Sequence, residues 1–435
     1  MNNNNYVPTP RQNIPMQSIQ NIPRNTAPVQ GRKLYLEESD NIDKLMKGFE
    51  KLKENSFIQS IKERQELAGD AFFEFYSKYK KQILWTLFIS VIVFLVVYNL
   101  RRYRIPRYLN KMDDYELNLG SISDDPVINK SDYRLCDFYV ASSYKSFLPC
   151  TNWYDYASTK SIEKILKCGA RLIDLDVFNK ELCPCTEPVV CAGREVGNWH
   201  WTTEEGFADC IKTISNLAFS SEVKNPNDPL FICLNFNVWE NWDTMEKCAQ
   251  IIKEVLGHRL LPIEYGYYGK KNKNDKYNIS LTKITELFGK VIIISNGDLD
   301  PNSKMEEITN IYTGKGGNLR NLTFTQVKNT FDSETLIQNN KTSLAMVTPD
   351  FIEREKQNFY FFTPWYLGCQ FICMNYTSTD EIMKAYIDKF NKNSFVLKPY
   401  RLRYQPLTTE APLQQTKAVS FAPRTVVNPN YSLVY

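Results

Sequence analysis

The sequence predicts an α/β fold, a parallel (β/α)8 TIM-type barrel, preceded by an N-terminal helical region and a single transmembrane helix. Three observations predict it. Eight β-rich runs, at 137–143, 170–178, 188–192, 229–238, 290–295, 343–349, 369–375 and 394–399, alternate with helical patterns near 157–168, 203–219, 241–257, 281–287 and 379–391. No glycine-rich phosphate loop accompanies these runs, which leaves a doubly wound open sheet without its usual support. Ahead of them lies an uncharged stretch of 19 residues, Gln82–Leu100, apolar on every face.

Taken in order, residues 1–34 read as a disordered tail. The first 30 residues hold seven Asn, five Pro and four Gln, and no acidic residue occurs before Glu37. Such a stretch buries too little to offset the entropy of ordering it. Over 35–81 the pattern changes: Ile42, Leu45, Met46, Phe49 and Leu52 recur at helical spacing among Lys and Glu. This amphipathic region suits self-association, a position flat on a membrane, or packing on a partner. Residues 82–100 form the membrane span, roughly 28 Å long at ~1.5 Å per residue. Lys78, Lys80 and Lys81 flank it on one side and Arg101, Arg102 and Arg104 on the other. It starts too far along the chain for a cleaved signal peptide, so it reads as a retained single-pass anchor. Basic residues on both flanks leave its orientation open to charge counting. A juxtamembrane linker is expected over 101–133, the barrel over 134–404, and a disordered tail over 405–435, where Pro and Gln are frequent and Glu410 is the one acidic residue.

Charge and cysteine content narrow the function classes. With 53 basic and 49 acidic residues the net charge is only +4, which argues against a nucleic-acid partner. The 11 cysteines all lie between Cys136 and Cys373, and an odd number cannot pair internally. Scattered, reduced thiols favour a cytosolic C-terminal domain. Histidine, the usual acid–base side chain near neutrality, occurs only as His200 and His258.

Six segments, in order, resemble the X and Y boxes of eukaryotic-type phosphoinositide-specific phospholipase C. LCDFYVASSYKSFL (135–148), KCGARLIDLDVFN (167–179), EPVVCAG (187–193), PLFICLNFN (229–237) and ELFGKVIIIS (286–295) are similar to successive X-box strands. TPWYLGCQFICMNYTSTDEIMKAYIDKFNKNSFVLKP (363–399) is similar to the Y box. The resemblance implies a barrel built from X and Y halves, with a connector somewhere within 297–342. It also implies phosphodiester chemistry: the inositol 2-hydroxyl attacks phosphorus, two histidines assist, and a calcium ion lowers the hydroxyl's pKa.

Carried over position by position, that site is degenerate. The first histidine of the family pattern is Tyr144 here and the second is Ala192. A phenol with a pKa of about 10 is a poor base at neutral pH, and alanine can exchange no proton. The neighbouring calcium-ligand Asn is Lys145, whose ammonium opposes a hard dication and is expected to occupy the vacated metal position and contact a phosphate. Of the acidic positions, Asp176 is kept, Asp174 replaces a Glu, and Asn235 replaces another. These three would hold a calcium ion if one binds; no cofactor is expected. The two substrate lysines read as Ile294 and Asn296. The head-group Arg aligns with Glu353, beside Arg354, so Lys145, Arg194 and Arg354 are the candidate head-group contacts. His200, in the loop after the strand bearing Ala192, is the residue that would have to rescue catalysis.

Three functions remain open at this point. One is a membrane-anchored pseudoenzyme that binds anionic phospholipid head groups or acts as a scaffold. Another is a divergent phosphoric diester hydrolase acting on phospholipids. The last is a structural membrane protein of an assembly such as a virion, joined through 35–81.

Overall fold

The computed structural model describes residues 44, 47–48 and 56–434, apart from 116, 150–155, 181–185, 195–197, 239–240, 267–277, 298, 300–302, 314–316, 351–356 and 407–422. The predicted tail over 1–34, most of the amphipathic region before Ser56, and Arg354 lie outside these residues. Two compact units divide the chain, Met1–Val96 and Val97–Tyr435.

The longest element is helix α1, Ser56–Lys111, 56 residues without a break. Within it Phe72–Leu100 is long and apolar enough to cross a membrane. Leu84, Trp85, Phe88 and Phe94 are all more than half exposed, so no protein core explains their apolarity. The hydroxyls in this stretch turn inward on the backbone: Thr86 Oγ1 donates to the Gln82 carbonyl (2.9 Å) and Ser90 Oγ to that of Thr86 (2.8 Å). Donors satisfied within the helix are what an apolar surrounding requires. The boundaries drawn at 81/82 and 100/101 are therefore not structural breaks. The expected linker over 101–133 also needs correcting. Its single apolar residues, widely spaced among polar ones, read as linker, yet Leu109, Met112, Leu119, Ile122 and Ile128 are each buried in the folded unit.

Eight parallel strands form the barrel: β1 (Phe138–Ser143), β2 (Leu172–Asn179), β3 (Leu230–Phe236), β4 (Val291–Asn296), β5 (Thr309–Tyr312), β6 (Leu319–Thr323), β7 (Leu344–Thr348) and β8 (Phe371–Met374). They are hydrogen-bonded in the order β6-β7-β8-β1-β2-β3-β4-β5. The register sets Leu172 beside Phe231, Asp176 beside Asn235, and Asn235 beside Asn296. The ring is nearly closed. Between β5 and β6 the Asn318 side chain takes the place of a ladder, accepting from the Tyr312 amide (3.0 Å) and donating to the Asn310 carbonyl (3.2 Å).

Two expected staves belong elsewhere. Pro188–Val190 pairs antiparallel with the far end of β2, and Phe395–Leu397 pairs antiparallel with the start of β1. Strands β5 and β6 supply the missing staves from the region expected to hold the connector. Their sequences, TNIY and LRNLT, mix Thr, Asn and Arg with apolar residues, so no apolar run marks them.

Alternation along the strands separates two cores. Phe138, Val140, Leu172, Phe231, Cys233, Ile292, Ile294, Met346, Phe371 and Phe395 fill the barrel interior. The intervening residues, such as Tyr139, Ile173, Leu175, Ile232 and Ile293, meet the outer helices α2 (Thr159–Lys167), α3 (Phe207–Ala218), α4 (Trp242–Leu256), α5 (Ser333–Thr342) and α6 (Glu381–Lys389). In α3 the buried positions Phe207, Cys210, Ile211, Ile214 and Leu217 keep the 3.6-residue period that gives one apolar stripe. Where the chain enters β2, the guanidinium of Arg171 is fully buried and donates to the carbonyl of Ala218 (2.9 Å) and to Asn225 Oδ1 (2.6 Å).

Asp228 lies in the same region, and its Oδ1 accepts from the Ile122 amide (2.7 Å). Burial pushes its carboxyl up to about 6, the Arg171 charge pulling the other way. A carboxyl raised on folding contributes stability that is whole below the unfolded range of about pH 4 and is lost as the pH rises through its folded value. Relative to Asp228→Asn, the wild type is therefore expected to lose about 2–3 kcal/mol of unfolding free energy between pH 4 and pH 7. Urea titrations across that range measure it, and a pH-independent difference would refute the assignment.

The expected disorder over 405–435 is overturned at its end. Thr425–Asn428 and Tyr431–Val434 form an antiparallel hairpin, with Asn428 opposite Tyr431. The run TVVNPNYSLV has β-branched and aromatic residues on both sides of a turn with Pro at its first central position, which favours a tight reversal.

Candidate functional site

Ligand sites in parallel barrels lie at the carboxyl ends of the strands. Asp174 and Asp176 occupy inward positions on β2, two residues apart, so both carboxylates face one side. They are 3% and 6% exposed. Asn235 ends the inward row of β3 in register with Asp176, and Asn296 does so on β4. Lys145 follows β1 in a left-handed turn (φ 43°), a conformation that non-glycine residues adopt only where their surroundings hold them.

Each of the four carboxylate oxygens meets an N–H donor. The Lys145 backbone amide donates to Asp174 Oδ2 (3.0 Å), and the Lys145 ammonium donates to Asp176 Oδ2. The Asn235 amide donates to Asp174 Oδ1 (2.7 Å) and Asp176 Oδ1 (2.9 Å). An outer layer continues the network. Asn296 Nδ2 donates to Asn235 Oδ1 (2.9 Å), and Asn296 Oδ1 accepts from Thr313 Oγ1 (2.8 Å) and Asn321 Nδ2 (3.2 Å). Burial, then the Asp176 charge, raises the Asp174 carboxyl, against the bonds from Lys145 and Asn235.

These donors do not fit calcium. A hard dication takes six to eight oxygen ligands, whereas here an ammonium and two N–H groups already face the carboxylates. Among the described residues, no three His, Cys, Asp or Glu side chains are grouped to hold a metal ion.

Of the other expected positions, Tyr144 borders this network, its ring centroid 5.9 Å from the Lys145 ammonium. Tyr144 is half-buried against the interior cluster, with its backbone amide on the Met374 carbonyl (2.9 Å). Ala192 is buried, its amide donating to Thr202 Oγ1 (3.0 Å). His200 pairs across a short antiparallel bridge with Gly193. Its side chain is 2% exposed, with Nδ1 2.9 Å from Glu204 Oε1 and Nε2 3.3 Å from Asn198 Oδ1. The ring also stands edge-on to Phe178, 5.3 Å between centroids. Both nitrogens thus have local partners, as in a packed histidine. Arg194 is exposed opposite Trp199 in the same bridge. Sequence reasoning missed Asn321 and Thr313 as members of the site. The available signal was the repetition of an asparagine in three inward rows, at Asn235, Asn296 and Asn321.

Comparisons with known proteins agree with the barrel fold. The family described as phosphatidylinositol-specific phospholipase C, X domain, matches residues 131–296, and the Y domain of the same family matches 302–401. Together they cover more than half of the chain. Human 1-phosphatidylinositol 4,5-bisphosphate phosphodiesterase delta-4 is 24% identical over 162 residues, 36% of this chain and 19% of that protein. The human eta-1 enzyme of the same name is 27% identical over 134 residues, 31% of this chain and 7% of its own length. The crystal structure of S. officinalis PLC21 superposes with a TM-score of 0.52 at 18% identity, over 63% of this chain and 38% of that one. The chain thus spans well under half the length of these relatives, and the structural likeness speaks for the fold alone.

Proposed function

Since the chain belongs to the phosphatidylinositol-specific phospholipase C family, we propose that it is a membrane-anchored pseudoenzyme of that family, its barrel kept to bind anionic phospholipid head groups or to scaffold a membrane assembly. The observation that carries this reading is the closure of the Asp174–Asp176 pair by Lys145 and Asn235. General acid–base transfer needs a group that titrates near neutrality within reach of the reacting oxygen. At the mouth those places hold a phenol, an alanine and an ammonium already paired with a carboxylate. Phe72–Leu100 is read as the single span, with the C-terminal domain on the cytosolic side, in keeping with eight buried free cysteines among the described residues. Residues 35–81 are read as the segment for self-association.

The test uses the full chain reconstituted in vesicles containing phosphatidylinositol 4,5-bisphosphate, with and without calcium. Release of inositol phosphate is expected to stay at the protein-free level in both conditions. In detergent, titration with soluble inositol trisphosphate is expected to show saturable binding that glycerol phosphate does not reproduce. Calcium-dependent turnover abolished by His200→Ala would overturn the pseudoenzyme reading and establish a diester hydrolase. Neither turnover nor head-group binding would remove the lipid-binding role and leave the scaffold.

A further inference from the structure

Two carboxylates buried two residues apart on one strand repel each other and lack hydration, so the fold must place positive charge between them. Proteins commonly meet this need with a metal ion. Here the chain meets it with its own side chain. The Lys145 side chain is 13% exposed, ends on Asp176, and presents its backbone amide to Asp174 from the same left-handed turn. The amide of Asn235 turns its nitrogen, not its oxygen, toward both acids.

We propose that Lys145 is a tethered counter-ion filling a latent divalent-cation site made by Asp174, Asp176 and Asn235. The ammonium and a hard dication compete for the same two carboxylates, so the chain can hold one or the other. In the wild type the lysine holds the place permanently, at an effective concentration that free calcium cannot match. The mouth of the barrel is then organised without any metal, and its stability is indifferent to chelators. Removing the ammonium while supplying an oxygen leaves two uncompensated carboxylates and a flippable amide, the donor chemistry that calcium selects. This inference goes beyond the functional reading above and does not depend on whether a lipid binds.

Lys145→Asn is the informative variant, because asparagine tolerates the left-handed turn that this position requires. Calcium is titrated calorimetrically into the full chain in detergent, and melting is followed with calcium and with chelator. The wild type is expected to give no binding heat at millimolar calcium and the same melting temperature in both conditions. Lys145→Asn is expected to bind one calcium ion at least roughly tenfold more tightly than the wild type, since affinity follows ligand charge and oxygen count. Adding Asp176→Asn should abolish that binding, and Lys145→Arg, which keeps the charge, should behave as the wild type does. A Lys145→Asn chain that folds only with calcium present also supports the proposal. Wild-type binding as tight as the variant's would overturn it. So would a folded variant that ignores calcium, or an unfolded one that calcium fails to rescue.

Discussion

Arg171→Met is expected to remove about 3–5 kcal/mol of unfolding free energy, the range for breaking a buried, charge-assisted network by deleting one partner. The guanidinium is fully buried and reaches three acceptors on two segments, the Ala218 carbonyl that ends α3 and both oxygens of Asn225. Asn225 in turn donates to Ser394 Oγ (2.6 Å), and Ser394 donates to the Gly169 carbonyl (2.5 Å). One side chain thus ties the start of β2 to the end of α3, to the approach to β3, and to the strand lying under β1. Methionine matches the length but leaves those carbonyls unpaired in a place water does not reach, each costing about 1–3 kcal/mol. Lysine would recover only part of the network, because its ammonium lacks the planar fork that reaches both segments. Urea unfolding of the full chain in detergent, followed by tryptophan fluorescence, gives the difference. A loss under about 1 kcal/mol would mean the network is a passenger.

Phe231→Ala is expected to cost a similar amount, about 3–5 kcal/mol, by a different route. Phe231 stands at the centre of the barrel interior, with its ring 5.0 Å from Phe371 and 6.3 Å from Phe395. Phe395 continues the cluster to Phe138 at 6.4 Å. Strands on a closed or nearly closed ring cannot move inward to fill a lost ring, so the cavity persists and the removed contacts are not regained. Phe231→Leu should recover most of the loss. If alanine and leucine cost the same, collapse around the site rather than the cavity would be setting the energy.

Much of this architecture was legible in the sequence because six of the eight staves are apolar runs bounded by polar residues. The two that were not, β5 and β6, carry Thr309, Asn310, Asn321 and Thr323, residues that mark loops when read alone. They are strands here because neighbouring ladders impose the extended form, and Asn310 spends its side chain on the Ile293 amide beside the bulge in β4–β5 (3.0 Å). Pro188–Val190 and Phe395–Leu397 misled in the opposite sense. Both are apolar and β-branched, and nothing local distinguishes a stave from a strand that caps one. The site followed the same division. That Asp174 and Asp176 share one face could be read from strand alternation, and the positions of Tyr144, Lys145, Ala192 and Asn235 from the family resemblance. That all four carboxylate oxygens would meet N–H donors could not be read, since it depends on where a five-atom lysine side chain turns after a left-handed residue. His200 was placed in the right loop, but its burial against Phe178 and its pairing with Glu204 arise from tertiary packing.

The seam between β5 and β6 gives the ring a weakest link, and hydrogen exchange should reveal it. Amides in β3 are bonded on both flanks by continuous ladders and exchange only when the whole unit opens. The Tyr312 amide donates to an asparagine side chain in place of a neighbouring strand, so a more local opening is expected to expose it. Because Asn310 and Asn318 face each other there and Thr313 and Asn321 both reach Asn296, a local opening at the seam would also loosen the outer layer of the mouth. The barrel is thus built like a split collar, whose gap lies beside the polar network that its bore presents.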